Sequence, residues 1–213
     1  MALPVLIIGK SGSGKSASMR TIVRNDNFNV INVLGKPFPF RGWKQIKSGT
    51  TDDYNQVVVW LKAFPARSII IDDAGYLITN QFMKGHSQAG AGNAIFSFYN
   101  KIGDSFWNLI EFVKNQLPKN KIIYFIMHED TDDFGNIKPK TIGKLLDEKV
   151  AVEGMFTVVL RCAIRNGKHV FLTQTTERDV AKSPIDMFSK VEIDNDMLFV
   201  DNTIREYFEM EDN

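Results

Sequence analysis

Apolar residues in this chain follow two rhythms, short continuous runs and longer stretches with a three-to-four spacing. Pro4 to Ile8 is the first continuous run and turns at Gly9, which predicts a buried strand. Lys15 to about Arg24 predicts a helix, and Phe28 to Leu34, alternating Asn with Val and Ile, a second strand. Residues 35–50, with Gly35, Pro37, Pro39, Gly42 and Gly49, predict an irregular connection. From Thr51 to Ala63 the spacing predicts a helix capped by Thr51 or Asp52, with Val57, Val58 and Leu61 on its apolar face. Ser68 to Ile71 is a third strand and runs into Asp72 and Asp73.

Residues 80–93, polar and rich in glycine, predict a loop. A long helix follows from about Ala94 to Leu117, broken or bent near Gly103 and closed by Pro118. Lys121 to Met127 is a fourth strand, with His128, Glu129 and Asp130 at its C-terminal end and a polar loop over 129–140. Phe156 to Ile164 and Lys168 to Thr173 flank Asn166-Gly167, a strong hairpin signal. Strands alternating with helices predict an α/β fold, a mostly parallel sheet flanked by helices with a late antiparallel hairpin. The expected organisation is one core over 1–190 and an acidic tail over 191–213. Trp43, Trp60 and Trp107 sit in apolar patterns that place them in the core.

No apolar run approaches the roughly 18 residues of a membrane span, so no membrane association is expected. No secretory leader is expected either. Cys162 has no partner for an internal disulfide, which fits a reducing, cytoplasmic setting. Charge is unevenly spread. Residues 1–50 hold eight Lys or Arg against Asp26 alone, while eight acids after position 186 face only Lys190 and Arg205. The basic part suits polyphosphate or nucleic acid, and the acidic end suits a protein partner or autoinhibition, with plain solvated faces the alternative for both.

Gly9-Lys10-Ser11-Gly12-Ser13-Gly14-Lys15-Ser16 matches the pattern G-x-x-x-x-G-K-[ST] at every position. Glycines let the backbone curl so that N–H groups face phosphate oxygens, and a helix N-terminus adds a positive field. Gly9, Ser11, Gly12, Ser13, Gly14, Lys15, Ser16 and Ala17 are therefore the expected nucleotide-binding set. Lys15 is placed on the β and γ phosphates of ATP, and the Ser16 hydroxyl on Mg2+. Four residues, Ser68 to Ile71, lead into Asp72 and Asp73 at the same sheet edge. Asp72 is the expected second ligand of Mg2+, and Asp73 the residue that orients or deprotonates an attacking water. His128 is a candidate sensor of the γ-phosphate; His86, His128 and His169 lack zinc-ligand spacing.

The phosphate loop, the Ile-Asp-Asp strand end, and Pro139-Lys140-Thr141-Ile142-Gly143-Lys144 resemble phage-encoded, RecA-like P-loop nucleotide-binding ATPases. Val152-Glu153-Gly154-Met155-Phe156 and Ala181-Lys182-Ser183-Pro184 carry the same resemblance, which covers most of residues 3–190. That group is associated with single-strand annealing and phage recombination. The resemblance implies a RecA-like core that hydrolyses ATP, binds single-stranded DNA and assembles with itself in the cytoplasm of a phage-infected bacterium. A recombination or single-strand-binding protein is a further partner it implies. In RecA-like proteins a glutamate after the second strand activates water; here Gly35-Lys36-Pro37 follows, so Asp73 and Glu129 are the substitute bases.

By the same resemblance, residues 80–93 (with Lys84 and His86) and 129–140 occupy the places of DNA-contacting loops. Phe82 or Phe134 would stack on bases. Lys138, Lys140 or Lys144 would reach a neighbouring subunit's γ-phosphate. Two alternatives stand beside this reading: a nucleoside or nucleotide kinase using the basic stretch from Lys36 to Lys47, and a non-hydrolysing nucleotide-dependent switch.

Overall fold

Continuous Leu, Ile and Val runs become the middle of the sheet, because a parallel strand covered on both faces has no solvent side. In the computed structural model, which describes residues 1–213 apart from 91, 143–145, 147–149, 177 and 212–213, β1 (Leu3–Gly9) is such a strand. It lies between β5 (Ile122–Thr131) and β7 (Val158–Arg165), parallel to both. On the far side of β5 come β4 (Ser68–Asp72), β2 (Phe28–Asn32) and β3 (Ser48–Thr50), all parallel. Beyond β7 the direction reverses through β8 (Lys168–Leu172) and β9 (Glu192–Asp194). Among the described residues the sheet order is β3-β2-β4-β5-β1-β7-β8-β9, with β6 (Ile137–Pro139) folded back on β5.

Alternation along each strand builds two cores. Leu6 and Ile8 of β1 join the face covered by α1 (Tyr54–Ala63), α2 (Gly75–Gly85) and α3 (Asn93–Gln116). Val5 and Ile7 join the other face, under a 3-10 turn at Ser16–Ile22 and α4 (Met197–Tyr207). The parallel strands all end at one edge, which gathers residues 9–16, 32–36, 72–73 and 128–129. The α/β class, the parallel sheet with flanking helices and the late hairpin stand as expected. Asn166 and Gly167 turn the hairpin with φ of 51° and 74°. No helix among the described residues is long and apolar enough to cross a membrane.

Several elements differ from the sequence-based expectation. The segment after Lys15 is a 3-10 helix of seven residues, Ser16–Ile22, rather than a longer α-helix. Ser18 Oγ and Thr21 Oγ bond back to carbonyls three residues earlier, which competes with regular α-helix. The cap of α1 is Asp53, which accepts from Gln56 N, while Asp52 binds Asn80 and Lys84. Much of 80–93 is helix rather than loop. Leu77 and Ile78 bury in the core, and Phe82 packs on Phe98 and Tyr99. α3 runs unbroken through Gly103, which is buried. Trp107 is 44% exposed rather than core.

The strand β5 does not stop at Met127. It runs to Thr131 because β6 pairs with residues 129–131, and Asp132 accepts from Phe134 N and Asn136 N to close the turn. Residues from 191 onward carry β9 and α4. The carboxylate of Asp201 is buried against Ser68, Tyr124 and Arg205, so the segment expected as an acidic tail packs onto the sheet.

Candidate functional site

Past the C-terminal end of β1 the backbone curls through two left-handed glycines, Gly12 (φ 77°) and Gly14 (φ 105°). A side chain is excluded at Gly14 on two counts: its φ, and a Cβ that would stand 2.7 Å from the His169 ring. Ser11 and Gly12 form the exposed apex, while Ser13 and Lys15 are buried. Lys15 Nζ donates to the carbonyls of Gly9 and Lys10, each at 2.8 Å, so its ammonium lies inside the curl. Burial holds its pKa below the ordinary lysine value, with the nearby Cys162, Asp73 and Asp72 pulling the other way. Ser16 and Ala17 open the 3-10 turn, both half-buried.

Ser16 Oγ donates to the Asp72 carboxylate at 2.9 and 3.1 Å, joining residues 56 positions apart. Asp72 is wholly buried, and burial first, then the adjacent Asp73 charge, pushes its pKa up to about 7. A hydroxyl and a carboxylate held this close form an oxygen donor set that suits Mg2+, and the buried Ser13 hydroxyl has no hydrogen-bond partner among the described residues. The residues present therefore fit a magnesium-bound polyphosphate.

The Asp72 shift makes a stability prediction. The unfolded carboxyl titrates near 3.8, and the folded one near 7. Stabilisation from the protonated carboxyl is complete below the lower value and is lost as pH rises through the higher one. In magnesium-free buffer Asp72→Asn is expected to match wild type in melting temperature near pH 4 and to exceed it increasingly up to about pH 8. A constant difference across that range would refute the shift.

Asp73 follows with a left-handed backbone (φ 60°) and is 4% exposed. Its carboxylate meets Lys36 Nζ at 2.7 Å and His128 Nε2 at 3.6 Å. Burial, then the nearby Lys15 charge, holds the His128 pKa below its ordinary value, which favours the neutral ring near pH 7. Glu129 is the next residue along β5. It receives Arg161 in a bidentate pair, Nε at 2.9 Å and Nη2 at 3.1 Å. The structure thus brings Lys15, Ser16, Asp72 and Asp73 together, and engages Glu129 with a cation of β7.

Three supports of the loop were not among the sequence candidates. Cys162 Sγ and His169 Nδ1 both contact the Ser13 carbonyl, at 3.0 and 2.7 Å. Asn195 Nδ2 reaches the Gly14 carbonyl at 3.3 Å, and its oxygen accepts from Arg20 at 2.9 Å. No sequence signal links these positions to the loop, since each acts across roughly 150 residues or more. Of the lysines expected to reach a neighbour, Lys138 is half-buried in β6 and Lys140 is exposed; Lys144 lies outside the described residues. A family model described as an AAA domain matches residues 1–185. No curated protein matches the chain.

Proposed function

The chain belongs to the AAA-domain family, and we propose that it binds ATP with Mg2+ at residues 9–17 and hydrolyses it. We further propose that the nucleotide cycle acts on single-stranded DNA in phage recombination or replication, in an assembly of like subunits. The observation that carries the nucleotide half is the Ser16–Asp72 contact beside the buried Lys15 ammonium. Bound ATP would supply the phosphoryl group, and a Mg2+ ion held by Ser16 and Asp72 would neutralise phosphate charge.

The chain's own residues divide the remaining work. Lys15 neutralises β and γ phosphate charge, and the loop N–H groups orient the chain of phosphates. Ser16 and Asp72 hold the ion. Asp73, fixed between Lys36 and His128, is the nearer candidate to orient water and accept its proton. Glu129 can serve only by giving up its bidentate partner Arg161.

Support for the DNA half comes from the basic first 50 residues and the RecA-like resemblance. The exposure of Phe134 at the β5–β6 turn (85%) and the His86 ring stacked on Phe82 at 5.0 Å offer aromatic surfaces for bases. A recombination or single-strand-binding protein is the proposed further partner.

Phosphate release with and without single-stranded DNA tests both halves. The expected result is magnesium-dependent turnover that DNA raises several-fold. Turnover indifferent to DNA would remove the DNA half, and no turnover under either condition would remove the hydrolytic one.

A further inference from the structure

We propose that Lys36 is a second γ-phosphate cation, supplied by the same subunit and held against Asp73, which sets a preference for triphosphate over diphosphate. The inference rests on the nucleotide reading above and names a specificity residue for that site.

Lys36 is placed by its turn. β2 ends at Asn32, whose side chain accepts from Gly35 N at 2.8 Å and donates to the Lys36 carbonyl at 2.7 Å. Gly35 adopts φ 66°, and a Cβ there would stand 3.0 Å from Thr50, so the turn demands glycine. β2 is the parallel neighbour of β4, which puts this turn at the edge where Asp72 and Asp73 emerge. The Lys36 backbone is therefore fixed beside Asp72 and Asp73, while its side chain, on lysine's flexible stem, is 58% exposed. Its partner cannot follow, because the Asp73 side chain is 5% exposed and its backbone is held in a left-handed turn.

A mobile cation on a fixed carboxylate is a cation available to a stronger anion nearby. A terminal phosphate carries about twice a carboxylate's charge, and lysine meets phosphate as a point charge on a flexible stem. Two other cations in the neighbourhood already have carboxylate partners: Arg161 is bidentate on Glu129, and Lys84 is paired with Asp52, while Lys15 is held inside the loop itself. Lys36 is paired with Asp73, the neighbour of the Asp72 carboxylate that with Ser16 would hold the metal ion of the terminal phosphate. A diphosphate presents no oxygen there, so the contact discriminates by chain length.

Calorimetry on the full chain, with Mg-ADP and with the magnesium complex of the non-hydrolysable β,γ-imido analogue of ATP, tests this. Wild type is expected to favour the triphosphate. Lys36→Ala should lose about tenfold in triphosphate affinity, in line with one charge-assisted contact, while ADP affinity stays within about twofold. Lys36→Arg should recover most of the loss, since it restores the charge on a similar reach. Equal effects on both nucleotides, or none on either, would overturn the role while leaving the phosphate loop intact. Failure of the wild type to bind either nucleotide would overturn the nucleotide reading and this inference together.

Discussion

Lys15→Ala is expected to weaken Mg-ATP binding by about a hundredfold or more, with the fold retained. Lys15 is 6% exposed and its ammonium sits within hydrogen-bond distance of two loop carbonyls, so it is fixed before any ligand arrives. Charge-assisted hydrogen bonds contribute about 1.5–3 kcal/mol each, and this ammonium can make more than one to phosphate oxygens. The other lysine of the loop, Lys10, lies exposed and cannot replace it from the same direction. Loss of the side chain also leaves the Gly9 and Lys10 carbonyls without this donor, which loosens the curl. Lys15→Met, of similar volume, separates that packing effect from the lost charge. Calorimetry checks the affinity, and circular dichroism checks the fold. Affinity unchanged in both variants would remove Lys15 from the phosphate site.

The parts of this molecule that were legible in the sequence are those whose signal is local. The Pro4 to Ile8 run needs only its own composition to predict β1, and the loop after it is specified by eight consecutive residues. Asn166-Gly167 fixes a hairpin in the same way. Where a partner decides the outcome, the sequence was silent or misleading. Residues 80–85 look like a glycine-rich loop, yet they are helical because Leu77 and Ile78 are buried and Phe82 finds aromatic neighbours on α3. His128 and Glu129 read as residues beyond a strand, yet they lie within β5 because β6 returns to pair with it.

The candidate site divides along the same line. Lys15, Ser16, Asp72 and Asp73 follow from motif and strand pattern. Lys36 on Asp73, Arg161 on Glu129, and the buttressing of Ser13 by Cys162 and His169 come from strands brought together only by the fold. Charge counting misled most at the C-terminal end. Eight acids after position 186 read as an acidic tail for a protein partner, but one of them, Asp201, is an interior acceptor, and Asn195 braces the phosphate loop.

Asp201→Ala is expected to destabilise the protein by about 3–5 kcal/mol, the cost of removing one partner from a buried ion pair. Asp201 is 3% exposed and accepts from Tyr124 Oη at 2.9 Å and Arg205 Nε at 2.8 Å, with Ser68 as a third donor. Arg205 also donates to Ser68 Oγ at 2.7 Å and to the Asn120 carbonyl at 3.0 Å, so α4 is tied to β4, to β5 and to the turn before β5. Without the carboxylate, a guanidinium 8% exposed and a fully buried tyrosine hydroxyl lose their charged acceptor. Replacing both ends with apolar residues, Asp201→Leu with Arg205→Met, should recover much of the loss, because it leaves no unpaired interior charge. Urea unfolding of the two single variants and the double variant measures the coupling directly. A single-variant loss below about 1 kcal/mol would mean that the last elements are held by Met197, Val200 and Ile204 alone. A loss in the expected range makes residues beyond 190 part of the unit that holds the sheet edge, and through Asn195 part of what shapes the phosphate loop.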